Sequence, residues 1–332
     1  MIKTFIILAP VVIAVALYTH VSSIYWGRRD SPVAVPVRPP NPIIDAEAVQ
    51  HWNEHKWTII RNFTSPEWVE YLRETCDDRQ AHPHFMSFFT GYLSGLFSYH
   101  QINSWMSTDG IFNFFDKGGE SIHTVAHEFG NFNSTRLLHE TLDLYPRYVD
   151  SWLPVHDDCA PEKGCGDFLT IRMYMSLDYV PHGRHLQFIK DDQSRVDPAF
   201  QRANKKDEPR FIPVPEIFPG DIVIWNNNLL HTSVHHDRRV LVWTVQDGKS
   251  PLVVGLGMAW LGLYDGDVFQ NQESAYYPVV YPQIADSVVK EREERMTGTP
   301  GMWSVFKLVS QALYKTSTFK KLRTFLIQPD EN

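Results

Sequence analysis

Cysteine is scarce in this sequence, with three residues among 332. Cys76, Cys159 and Cys165 are too few and too scattered to form a disulfide-stabilised scaffold. Cys159 and Cys165 are near enough in the chain to bridge a short loop in an oxidising compartment; otherwise they are free or buried thiols. The fold must therefore depend on a hydrophobic core, and a chain of this length can bury a large one.

Basic charge is not in excess either, because 31 Lys and Arg residues stand against 39 Asp and Glu residues, a net charge of −8. This balance argues against a general nucleic-acid-binding protein. Internal repeats and alternation of strands with helices are also missing, so a parallel α/β sheet is not expected. Apolar residues make up 43% and charged residues 21% of the chain, as in an ordinary folded protein.

A long apolar run is present only at the N-terminus, from Phe5 to Leu17. Extended to Trp26, it approaches the ~20 residues that span a bilayer. Two interpretations stay open for residues 1–27. An uncleaved signal anchor would make a single-pass protein of the endomembrane system, whereas a signal peptide cleaved near Ser23 would release a secreted or lumenal protein. Residues 28–45 are rich in proline and predict a stiff linker.

Short strand candidates crowd the second half of the chain and are separated by Pro, Gly, Asn and Asp turns. They are Phe168–Leu177, His185–Ile189, Phe211–Val214, Ile222–Trp225, Leu229–Val234 and Arg239–Gln246. This pattern predicts a mainly β, double-stranded β-helix (jelly-roll or cupin-like) domain with flanking helices over residues 46–300.

Helical patterns are fewer. Ser65 and Pro66 start a helix predicted to run to about Cys76. Residues 284–296 form another, whose charged run Lys290–Arg295 we interpret as a solvated face. Residues 301–332 predict an amphipathic helix that either packs on the barrel or lies on a membrane surface. Residues 86–149 are aromatic but have no clear period.

The most informative residues are His156 and Asp158, which form an H-x-D triplet, and the distant His231. Residues i and i+2 of an extended segment face the same side, so His156 and Asp158 can approach one cation. Two imidazoles and one carboxylate are the ligand set of mononuclear non-haem iron(II) sites, which leave positions open for O₂ and a co-substrate. His231 follows a Pro-Gly-Asp turn and an apolar strand, so a jelly roll can bring it opposite His156.

Residues that suit a dicarboxylate follow His231. Ser233 lies two residues beyond it, on the same strand face, and can donate a hydroxyl hydrogen bond. Arg238 and Arg239 open the last core strand, and a guanidinium binds a carboxylate bidentately. Neighbours on a strand alternate faces, so one arginine should point inward; we expect Arg238, with Arg239 as the alternative.

These residues resemble the phytanoyl-CoA dioxygenase family of iron(II)/2-oxoglutarate oxygenases. The likeness covers roughly residues 150–246, in the segments His156–Asp158, Thr170–Asp178, Leu186–Ile189, Pro219–Val223 and Leu230–Ser233. It implies that His156, Asp158 and His231 bind Fe(2+). It also implies that Ser233 and Arg238 bind 2-oxoglutarate. Tyr174 stands where the family commonly has a Trp, and is a further candidate for the cofactor site.

The resemblance implies a hydroxylase that consumes O₂ and 2-oxoglutarate and releases succinate and CO₂, with ascorbate as an additional candidate reductant. An acidic ligand at position 158 favours hydroxylation, since halogenating relatives need that position for chloride. The partner expected is a small, hydrophobic, lipid-like molecule, because the N-terminal segment would place the site near a membrane. Two alternatives stay open: a membrane-tethered jelly-roll scaffold without turnover, and a zinc hydrolase that uses the same ligands.

Overall fold

The computed structural model describes residues 34–39, 41–81, 99–102, 105, 108–145, 151–152, 158, 168–175, 186–189, 211–235, 238–250 and 278–297. The helices are α1 (Ala46–His55), α2 (Pro66–Ala81), α3 (Asp109–Gly130) and α4 (Asp286–Thr297). The strands are β1 (Trp57–Ile60), β2 (Tyr99–Ile102), β3 (Thr135–Tyr145), β4 (Ser151–Trp152), β5 (Leu169–Tyr174), β6 (Leu186–Ile189), β7 (Phe211–Pro213), β8 (Ile222–Asn226), β9 (His231–His235), β10 (Arg238–Asp247) and β11 (Val279–Tyr281).

The strands form two antiparallel sheets. The larger has seven strands in the order β1-β8-β5-β10-β3-β11, with β2 also paired to β3, and the smaller has the order β4-β9-β6-β7. Eight consecutive strands, β3 to β10, supply four strands to each sheet, and the chain crosses between the sheets at almost every connection. Two four-stranded sheets linked in this way are a jelly roll. The mainly β, cupin-like fold predicted from the sequence is therefore confirmed.

The central strands of the larger sheet bury side chains on both faces. Ile222 and Ile224 of β8 join the core that lies against the helices, whereas Val223 and Trp225 join a second core shared with the smaller sheet. Strands β5 and β10 alternate in the same way, since successive side chains of a strand point to opposite faces. The molecule thus has three layers: helices, the larger sheet and the smaller sheet. We call the face of the larger sheet that meets the smaller one its inner face.

Helix α3 fits closely against the larger sheet. Its buried face includes Phe114, Phe115 and Ile122. A Cβ on Gly119 would stand 2.1 Å from the carbonyl oxygen of Val280 in β11, so only glycine allows this approach of helix to strand. This contact orders the outer layer against the sheet edge.

Most predicted elements coincide with observed ones. All six strand candidates are present, with ends shifted by at most three residues, and α2 continues five residues past the predicted end at Cys76. The interpretation of the run Lys290–Arg295 as a solvated face was wrong for Arg292. This side chain is only 2% exposed, because its guanidinium donates to Asp109 of α3.

Several predictions concern residues outside the described ranges, namely the segment 1–27, the first part of the linker 28–45, the helix 301–332 and a Cys159–Cys165 bridge. Within the ranges that are described, no helix combines the length and apolarity needed to cross a membrane. Cys76 is a buried free thiol.

Candidate metal centre

His231 opens β9 on the smaller sheet and is 4% exposed. Its register partner is Phe188 of β6, which belongs to the core between the two sheets. The imidazole ring lies 5.1 Å from the ring of Trp225 and 6.2 Å from that of Phe188, measured between centroids. The side chain is thus enclosed between the sheets, as the sequence predicted.

One hydrogen bond defines the tautomer of His231. Its Nδ1 lies 3.0 Å from the carbonyl oxygen of Leu229. A carbonyl can only accept, so Nδ1 carries the proton and Nε2 of the neutral ring carries the lone pair. A backbone acceptor that fixes the tautomer in this way is the usual support of a histidine that ligates a metal through its other nitrogen.

Asp158 is held at the same end of the barrel by two donors on the larger sheet. Its Oδ2 accepts a hydrogen bond of 2.6 Å from Thr170 Oγ1 and one of 2.8 Å from Trp225 Nε1. Thr170 of β5 and Trp225 of β8 are register partners, so a single cross-strand pair donates both hydrogen bonds to this carboxylate oxygen. We call this pair the Asp158 clamp.

The other carboxylate oxygen is directed towards His231. Asp158 Oδ1 lies 3.7 Å from His231 Nε2. This separation is too long for a hydrogen bond. With metal–ligand bonds of about 2.1 Å, the donor atoms of one ion stand roughly 3.0 Å apart at 90° and roughly 3.4 Å apart at a tetrahedral angle, so these two groups need to approach by only a few tenths of an ångström to share one cation. Imidazole nitrogen and carboxylate oxygen are donors that iron(II) accepts, so the residues fit that ion.

The third predicted ligand, His156, lies outside the described residues. Within the ranges that are described, no group of three or more His, Cys, Asp or Glu side chains forms a metal site. The structure thus brings together two of the three predicted ligands and leaves the third as a prediction.

The residues predicted for the co-substrate fall in different places. Ser233 pairs in register with the buried Leu186, two positions beyond His231 on β9. Arg238 begins β10 opposite Tyr145, and the Arg238 side chain is not described. The Arg239 guanidinium binds Asp77 of α2 through Nε and Nη2, both at 2.7 Å, on the helix side of the larger sheet. Tyr174 is buried on the inner face.

Sequence reasoning missed Thr170 and Trp225. Both stand in apolar strands, where they pass for ordinary core residues. The signal that could have found them is the alternation of side chains along a strand, which places both on the inner face, towards the candidate ligand Asp158. A buried Trp also normally donates its N–H to an acceptor.

The Asp158 clamp is expected to set metal affinity. Trp225→Phe and Thr170→Val each remove one donor to Oδ2, so we expect each to weaken iron(II) binding by roughly 10- to 100-fold, as for other groups that orient ligands. Anaerobic calorimetric titration with iron(II) measures this. Trp243→Phe is the matched control, because Trp243 is equally buried but belongs to the core against the helices. It should lower stability and leave metal affinity unchanged. Wild-type affinity in both clamp variants would contradict the assignment.

Comparison with known proteins adds information on the fold. No protein-family model matches the sequence. No curated protein matches it either. The phytanoyl-CoA dioxygenase resemblance therefore stays a prediction.

Solved structures do match. SnoK, a non-heme alpha-ketoglutarate-dependent carbocyclase from nogalamycin biosynthesis, superposes with a TM-score of 0.52 at 15% identity, over 72% of this chain and 99% of its own. This chain has the fold of SnoK. SnoN, the epimerase of the same biosynthesis, gives 0.51 at 14% identity, over 70% and 97%. SnoN in complex with Fe3+, alpha ketoglutarate and nogalamycin RO gives 0.50 at 15% identity, over 70% and 97%.

Proposed function

We propose that this protein is an iron(II)- and 2-oxoglutarate-dependent oxygenase that acts on a small organic molecule. The observation that carries the proposal is the pairing of His231 Nε2 with Asp158 Oδ1 at 3.7 Å, between two sheets of a jelly roll. The fold is shared with SnoK and SnoN, and SnoN is known with iron and alpha ketoglutarate bound. His156 would complete the ligand set from the same loop as Asp158.

The donor set suits iron. Neither ligand is a thiolate, and the site leaves coordination positions for further groups if only three side chains bind. When bound, iron(II) supplies the activation of O₂ that is coupled to the decarboxylation of 2-oxoglutarate to succinate and CO₂. The role of the chain is to orient the ligands and to exclude water. Trp225 and Phe188 contribute to the exclusion of water by packing beside the His231 ring, with centroids 5.1 and 6.2 Å away.

Hydroxylation is the outcome that we favour. An acidic side chain occupies position 158, and this residue is held as a ligand by two hydrogen bonds. Carbocyclisation and epimerisation, which SnoK and SnoN perform, start from the same co-substrates. We propose a hydrophobic substrate, because the N-terminal apolar run from Phe5 to Leu17 would attach the protein to an endomembrane, or direct it into the lumen if cleaved.

The test is an assay of 2-oxoglutarate turnover. The full chain with iron(II), ascorbate and O₂ is expected to convert 2-oxoglutarate into succinate, and the rate should rise when extracted cellular lipids are added. Succinate is quantified by mass spectrometry. Zinc-supported turnover of the added compounds without succinate would favour a hydrolase instead. Absence of both turnover and iron-dependent 2-oxoglutarate binding would favour a scaffold.

A further inference from the structure

Arg172 is a buried cation in the middle of the barrel. It lies in β5 between Ile171 and Met173, which pack against the helices, so its own side chain belongs to the inner face. Only 4% of the residue is exposed. Its register partners on the two adjacent strands are Val223 and Val242, which supply no charge.

The guanidinium of Arg172 has few contacts for a buried charge. It lies over the ring of Tyr174, with Cζ 5.4 Å from the centroid. Its Nε is buried and makes no hydrogen bond. Across the described part of the chain, no carboxylate comes within ion-pairing distance of it. An unpaired buried cation is strongly unfavourable, so an anionic ligand is expected to bind beside it.

Other buried arginines show what a satisfied guanidinium looks like here. Arg292 binds Asp109 Oδ1 at 2.7 Å and the carbonyl of Trp105 at 2.7 Å. Arg136 donates to the carbonyl oxygens of Gly248 and Ser250. Arg239, the alternative predicted for the co-substrate, is paired with Asp77 on the other side of the sheet. Arg172 therefore differs from these three arginines, because its guanidinium makes no hydrogen bond or ion pair with the described residues.

The position of Arg172 relative to the candidate metal centre identifies the anion. Thr170, which holds Asp158, precedes Arg172 by two residues on the same face, and two residues of a strand advance about 7 Å. A five-carbon α-keto diacid that chelates the metal through its keto-acid end extends its far carboxylate by a similar length. A guanidinium binds a carboxylate through two parallel hydrogen bonds, and the ring of Tyr174 would hold the Arg172 guanidinium in one orientation.

We propose that Arg172, supported by Tyr174, binds the far carboxylate of 2-oxoglutarate, in place of Arg238 or Arg239. This inference rests on the proposed function. It places the anchor on the third strand of the jelly roll, not on the last.

The test compares two ligands that differ only at the far end: 2-oxoglutarate and 2-oxopentanoate, which has a methyl group in place of the far carboxylate. Binding to the iron(II)-loaded full chain is measured without oxygen by calorimetry. The wild type should prefer 2-oxoglutarate by on the order of 100-fold, as for other buried charge pairs. In Arg172→Met this preference should vanish, with the affinity for 2-oxopentanoate unchanged. Arg172→Lys should keep part of it, and Arg239→Gln should keep all of it.

Each outcome is decisive. If Arg172→Met and Arg172→Lys keep the full preference for 2-oxoglutarate, the inference is overturned. Loss of that preference in Arg238→Gln would then place the anchor on β10.

If the wild type binds neither keto acid with iron, the proposed function fails, and metal-free protein is then titrated with glutarate. Thermal stabilisation by glutarate that is full in the wild type, weaker in Arg172→Lys and absent in Arg172→Met would keep the anion site. Equal stabilisation, or none, would overturn it.

Discussion

Replacing His231 by alanine is expected to abolish iron(II) binding and the turnover of 2-oxoglutarate. The substitution removes one ligand outright, whereas changing a group that merely orients a ligand already lowers metal affinity by about 10- to 100-fold. We therefore expect a loss well beyond 100-fold in both quantities. Metal content after dialysis and succinate formation measure the two effects separately.

The control for this variant is His55→Ala. His55 ends α1 with its side chain 40% exposed, far in the chain from the predicted ligands. This variant should retain metal and activity. The thermal unfolding of both variants should also be compared, because His231 is buried and its truncation leaves a cavity. Retention of iron and of succinate formation by folded His231→Ala would remove the basis of the proposed function.

Replacing Arg292 by methionine is expected to produce the largest loss of stability. Arg292 of α4 binds Asp109 at the start of α3, donates to the Trp105 carbonyl and lies 4.2 Å over the ring of Phe112. Breaking a buried pair removes the cation beside Asp109 and costs about 3 to 5 kcal/mol. Urea denaturation followed by circular dichroism measures the change in the free energy of unfolding.

Two further variants make this prediction specific. Lys290→Met removes another cation of α4, whose pair with Glu294 spans 3.8 Å at the surface, so it should change stability by less than about 1 kcal/mol. Asp109→Leu combined with Arg292→Met removes both charges and should recover much of the loss. A cost for Arg292→Met no larger than that for Lys290→Met would show that the buried pair does not stabilise the helix layer.

The sheets could be predicted from the sequence because their signals are local. The turn at Pro219–Asp221 and the apolar run after it give β8 directly, and Gly220 adopts a positive φ of 89° at that turn. The long helix α3 was missed, although Ile111, Phe114, Phe115, Ile122, Val125 and Phe129 recur at helical spacing and are buried on one face. The glycines of this segment, which are poor helix formers, obscured that period, and packing of the apolar face on the sheet stabilises the helix in spite of them.

The candidate site shows the same limit. His231 was found because it starts a strand after a recognisable turn, and Asp158 because it belongs to a triplet. Arg172 was passed over within an apolar strand, although a lone arginine at such a position is itself unusual. The Arg172 side chain points inward because its face of β5 meets the smaller sheet. The pairing of β5 with β8 and β10 decides which face that is. The partner of Arg292, which lies 183 residues away, was equally beyond local patterns.

The strands of the larger sheet that bury side chains on both faces limit how this protein can be engineered for heat resistance. Ile171 and Ile224 pack against the helices, yet each is the immediate neighbour of a residue that grips Asp158. Bulkier residues there would shift the backbone beneath the Asp158 clamp. The small cluster of Ile189, Phe211 and Leu230 belongs to neither core, but Leu230 directly precedes His231, so repacking should begin at Phe211.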